Sequence, residues 1–179
     1  MTQVLALILG AALSLALVRL ARMYPPYRER RVYAVGLVVA ALIYVGFGVV
    51  GGAGAWWLAL ESLGVLLYGA AAWGGLRGLP WLLAAGWAAH VAWDVPFHLT
   101  GGGSEYTPPW YPWPCLSFDL VVAGAVEEDA ETFQRDPLRA RATRHPEDDV
   151  DDCRDQQADG IGTPLPARRV RARQPDEGE

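Results

Sequence analysis

Lysine is absent from this chain: its fifteen strong bases are all arginine, a usage that fits a GC-rich genome better than any functional demand. Cysteine is nearly absent too. Cys115 and Cys153 stand far apart and form neither a disulfide framework nor a zinc-binding spacing. Also missing are the Rossmann and P-loop glycine patterns, a Gly-x-Ser-x-Gly elbow, and any arginine stripe interleaved with aromatics. These gaps speak against a nucleotide-binding fold, a serine hydrolase of that type and a nucleic-acid partner. Ser62 and Cys115 have no visible base-and-orienter arrangement, so neither is nominated as a nucleophile.

Charge is scarce in one part of the chain only. Residues 1–126 hold five acids (Glu29, Glu61, Asp94, Glu105, Asp119) and six arginines, whereas 127–179 hold fifteen acids and nine arginines. The net charge of −5 therefore belongs to the second part. Two materials are joined, an apolar region at 1–126 and a charged tail at 127–179. The tail has five prolines, an acidic run around Glu147–Asp159, and Arg168, Arg169, Arg171 and Arg173. Such a composition buries too little apolar surface to offset the entropy of ordering, and the tail reads as disordered.

A helix needs about 20 mostly apolar residues to cross a bilayer. Residues 1–18 carry no charge and the run ends at Arg19 and Arg22. Arginines follow it instead of preceding it, the wrong order for a cleaved signal peptide. Residues 32–60 are also uncharged, too long for one span, and the glycines at 46, 48, 51, 52 and 54 divide them near Val50. Arg77 and Gly78 make the next turn, and Pro80 suits the first turn of the following helix, where its missing N–H costs nothing. The predicted spans are 2–22, 32–50, 55–76 and 79–99. From Cys115 only twelve residues lead to Val126 before the acids begin. As a helix they would reach about 18 Å, short of the hydrocarbon core. Either that segment is half-inserted, or it spans a thinned bilayer, or a change of reading frame near 126 has cut it. The fold class expected is all-α: a transmembrane bundle of four to five helices followed by a disordered tail, with the lipid bilayer as its partner.

Cytoplasmic loops collect positive charge. Arg19, Arg22, Arg28, Arg30 and Arg31 lie around the loop after the first helix and Arg77 after the third, while 51–54 and 100–114 contain no base. The expectation is a multi-pass cell-membrane protein with its N-terminus outside and both basic loops cytoplasmic. Trp56, Trp57, Trp73, Trp81, Trp87 and Trp93 divide between interfacial belts and packing.

Ionisable side chains inside a membrane are costly, and each is a functional candidate. Glu61, His90, Asp94 and Asp119 lie within the spans and His98 at a helix end. Counted from the outer boundary, Glu61, Asp94 and Asp119 share a layer about 6–9 Å deep, and Tyr44 reaches a similar depth. His90, Asp94 and His98 are spaced by four and stack on one helix face. On a straight helix the two histidines stand about 12 Å apart. They cannot share one zinc with bonds of about 2 Å. Asp94 with either histidine can, helped by Glu61 or Asp119. The candidate metal ligands are therefore Asp94, His98, Glu61 and Asp119, and the candidate cofactor is a divalent metal such as zinc. Pro96 frees the carbonyl of Ala92 and should kink the helix beside the cluster. Three ionised carboxylates in one apolar layer repel one another and call for a cation, a proton or a charged histidine. Three readings follow: hydrogen bonding that locks helix packing, a metal or hydrolytic site, or a site for a proton, an ion or a small-molecule or lipid ligand.

The run Gly86-Trp87-x-x-His90-x-x-Trp93-Asp94-x-x-x-His98, followed by Trp110-Tyr111-Pro112-x-x-Cys115-x-x-Phe118-Asp119, resembles a family of small prokaryotic membrane proteins catalogued only as a domain of unknown function. The likeness covers about residues 1–126 and implies a helical bundle with no known activity. In that family the last helix continues as an apolar span, whereas this chain turns acidic after Val126. A more distant likeness is to the ceramidase-like membrane hydrolases, which use several histidines, a serine and an aspartate around zinc. Only His90 and His98 lie in the bundle here, and His145 is in the tail, so metal-dependent hydrolysis stands as the alternative activity.

Overall fold

The computed structural model of the chain describes residues 2–135, all within one compact unit, Met1–Arg144. The expected disorder of the tail beyond 135, with His145, Cys153 and the arginine run at 168–173, lies outside the described residues. The fold is all-helical: α1 (Thr2–Ala21), α2 (Pro26–Gly51), α3 (Ala55–Leu76), α4 (Pro80–Asp94) and α5 (Pro112–Arg135). A π turn, Val95–Leu99, prolongs α4, and a short 3-10 turn, Gly102–Glu105, lies in the loop before α5. Three of the helices, α1, α2 and α3, are long and apolar enough to cross a membrane.

Two boundaries differ from those read in the sequence. Helix α2 begins at Pro26, not near 32, so Arg28, Glu29, Arg30 and Arg31 occupy its first turns instead of a loop. Proline at the first helical position needs no N–H partner, and Glu29 is held one turn on by the Tyr33 hydroxyl, which donates to its Oε1 at 3.1 Å. Helix α5 does not stop at Val126 but continues to Arg135. Its last turns are tied to the rest of the bundle by ion pairs, Arg30 Nε to Asp129 Oδ2 at 2.9 Å and Arg22 Nη2 to Glu128 Oε2 at 2.7 Å. The acids after Val126 therefore answer the arginines that follow α1.

Short connections make α1 to α4 alternate in direction, and the loop from 100 to 111 brings α5 back parallel to α1. The Ser117 hydroxyl donates to the Leu7 carbonyl at 2.8 Å toward one end of that pair, and Arg22 meets Glu128 toward the other. Packing runs α1 on α5, α5 on α4, α4 on α3 and α3 on α2. Helix α1 can lie this close because Gly10 has no side chain: a Cβ there would overlap the Pro114 carbonyl and Ser117 Oγ.

The interior divides by depth. Toward the end bearing the arginines, Val18, Ala21, Tyr33, Leu37, Ala72, Leu83, Trp87, Val122 and Val126 form the apolar core. Toward the other end, which carries the 52–54 and 100–111 loops, the buried groups are polar: Tyr44, Glu61, His90, Asp94, His98 and Asp119. Outward faces are apolar, with Leu5, Ile8, Leu13, Val35, Val50, Leu66 and Leu67 exposed.

Candidate functional site

The four-residue spacing on α4 places His90, Asp94 and His98 along its inner face, and all three are buried. Pro96 does not end the helix. The backbone widens into the π turn, and the Thr100 hydroxyl lies 3.3 Å from the carbonyls of Val95 and Pro96. A π turn of this kind re-satisfies carbonyls that proline leaves without a donor, and it keeps His98 pointing inward.

Three buried side chains from two helices form the inner cluster. His90 Nδ1 lies 2.8 Å from Asp119 Oδ2 on α5 and 3.7 Å from Asp94 Oδ1 one turn along α4. The Tyr44 hydroxyl on α2 donates to the other Asp94 oxygen, Oδ2, at 2.8 Å. One ligand-type atom from each of His90, Asp94 and Asp119 falls within 4.8 Å of the others, a spacing that could hold a metal ion. Asp94 Oδ1 and His90 Nε2 are buried without a hydrogen-bond partner. Tyr68 on α3 closes one side, its ring edge-on to His90 at 5.0 Å and its hydroxyl donating to the Ala89 carbonyl at 3.3 Å.

A second cluster lies nearer the 100–111 loop. Glu61 on α3 accepts from the Tyr106 hydroxyl at 2.7 Å, and its Oε1 stands 3.5 Å from His98 Nε2. On the other edge of the ring, Thr107 Oγ1 is 3.4 Å from Nδ1. Gly103 packs so near that a Cβ on it would come within 2.6 Å of the same nitrogen. Burial, with the hydrogen bond to Glu61, pushes the Tyr106 hydroxyl above the ordinary phenol range, so it remains a proton donor. Tyr44 joins the two clusters. Its hydroxyl is on Asp94 while its ring stacks on the His98 imidazole, 3.8 Å between centroids and 9° between planes.

All five candidate residues thus lie buried at the same end of the bundle, but they assort differently from the set expected of a metal. Asp94 and Asp119 go with His90, whereas His98 and Glu61 face each other. The two histidines meet different carboxylates, so the several-histidine zinc set of the ceramidase-like hydrolases is not assembled among the described residues.

Residues 2–130 match the profile of a family of unknown function, DUF6010. The chain belongs to this family. No curated protein and no solved structure matches it. The DUF6010 region takes in every member of both clusters and extends through Glu127, Glu128 and Asp129. The change of composition after Val126 thus falls inside the matched region, four residues before its end. Tyr106 and Thr107 were not singled out in the sequence, because they stand in a loop outside any apolar span. Their only signal was position, just after the glycine run that ends the α4 rod.

Proposed function

We propose that this DUF6010 protein is a multi-pass membrane protein whose bundle holds a divalent cation between His90, Asp94 and Asp119. The observation that carries this reading is the pair of carboxylates converging on one imidazole nitrogen, with Asp94 Oδ1 left without a hydrogen-bond partner. A neutral histidine and two carboxylates neutralise a divalent ion, which matters in a low-dielectric interior where net charge is expensive. Imidazole with carboxylate suits zinc and its neighbours in the first transition row. Tyr44 then acts from outside the ligand set, holding the second Asp94 oxygen and so its orientation.

Support for the bilayer comes from the polarity of the surfaces and from tryptophan. Trp56 and Trp110 are exposed at the loop end, and Trp73 and Trp81 at the arginine end. Along α3, Trp56 and Trp73 stand about 26 Å apart at 1.5 Å per residue, close to the roughly 30 Å of a hydrocarbon core with aromatic belts at its borders. The arginine bias supports an orientation with the α1–α2 and α3–α4 connections in the cytoplasm and the cation cluster in the outer half.

The test is zinc stoichiometry of the detergent-purified protein after dialysis against the metal. Asp119→Asn should lower bound zinc by one equivalent with helical content unchanged. Wild-type protein that takes up no zinc, cobalt or manganese would overturn the assignment.

A further inference from the structure

We infer that Glu61 and His98 form a second cation station beside the first, an inference that rests on the bundle holding a divalent ion at all. The evidence is the spacing and the burial of the His98–Glu61 pair. His98 Nε2 stops 3.5 Å from Glu61 Oε1 and has no hydrogen-bond partner, although its side chain is fully buried. Two ligands each about 2.0–2.2 Å from a tetrahedral ion stand about 3.3–3.6 Å apart, so this gap fits a shared cation.

The surroundings hold both groups as ligands are usually held. Thr107 Oγ1 sits 3.4 Å from Nδ1, and Gly103 packs against the same edge of the ring. A donor nitrogen facing that side leaves the Nε2 lone pair toward Glu61, the arrangement in which a metal-binding histidine gives its other N–H to a backbone or side-chain oxygen. Tyr106 donates to Oε1 of Glu61, and the Tyr44 ring fixes the imidazole plane. Among the described residues, arginine ion pairs lie elsewhere, with Glu29, Glu128, Asp129 and Glu131. Only histidine answers the charge of Glu61 in this cluster.

One carboxylate does not neutralise a divalent ion. The station binds more weakly than its neighbour and keeps positions open for water. Covered by Tyr106 and Thr107 of the 100–111 loop and joined to Asp94 through Tyr44, it lies between the loop end and the inner site.

Zinc dialysis of the full chain, with Glu61→Gln, His98→Gln and Asp119→Asn compared, separates the two sites. Expected are two equivalents in the wild type, and one in each variant. One equivalent in the wild type, lost in Asp119→Asn and kept in Glu61→Gln and His98→Gln, overturns the second station and leaves the first. No metal in any sample overturns both. Should the two station variants misfold, cobalt titration of the wild type decides. Two successive phases of visible absorption support the station, and one phase saturating at a single equivalent overturns it.

Discussion

Tyr44 makes two contacts with different physics. Its hydroxyl donates to a buried carboxylate oxygen and its ring lies flat on an imidazole. Tyr44→Phe keeps the ring and removes only the hydroxyl. Hydrogen bonds to charged groups contribute about 1.5–3 kcal/mol, and a loss of that order is expected in the unfolding equilibrium of the detergent-solubilised, metal-free protein. An unchanged midpoint would mean that the Tyr44–Asp94 bond adds nothing to the bundle. The depth of Tyr44 could be counted along its helix from the sequence. That its ring would face His98 could not, because the rotation of α2 about its axis is set by what packs against it.

Helix α5 shows how an element can be misjudged from hydropathy alone. Counting apolar residues stops it at Val126, yet Ala130 is buried and Asp129, only partly exposed, is paired with Arg30. The acids looked like the start of a tail because their partners are about a hundred residues away in sequence. Removing one member of a buried ion pair leaves the other uncompensated and typically costs about 3–5 kcal/mol. Ending the chain after Val126 should therefore lower the thermal midpoint of the bundle clearly, while ending it after Arg135 should leave the midpoint unchanged. Equal midpoints for the two truncations would show that the last turns of α5 contribute nothing. In α4 the opposite holds. Pro96 signalled an irregularity beside the cluster, and the π turn at Val95–Leu99 falls there.

For the whole molecule, the arrangement places every connection rich in arginine at one end and the polar clusters toward the other. In a protein with Cys115 replaced by alanine and Cys153 by serine, single cysteines at Arg77 and Ser104 report which end faces which side. Both positions are exposed. An impermeant thiol reagent added to intact cells should label the cysteine at 104 and spare that at 77. The reverse pattern would invert the proposed orientation, and labelling of both would sink the membrane assignment.

The sequence by itself determined the helical class, the positions of the first four helices apart from the early start of α2, and the five ionisable side chains at one end of the bundle. Hydropathy and helical rise are one-dimensional quantities, and they give depth along each helix. Tertiary structure decided what depth cannot reach: which carboxylate meets which histidine, how far α5 runs, and that Tyr106 and Thr107 complete the outer cluster. Those depend on helix rotation and on contacts such as Arg30 with Asp129 and Glu61 with Tyr106, whose partners lie far apart in the chain and come together only when the helices pack.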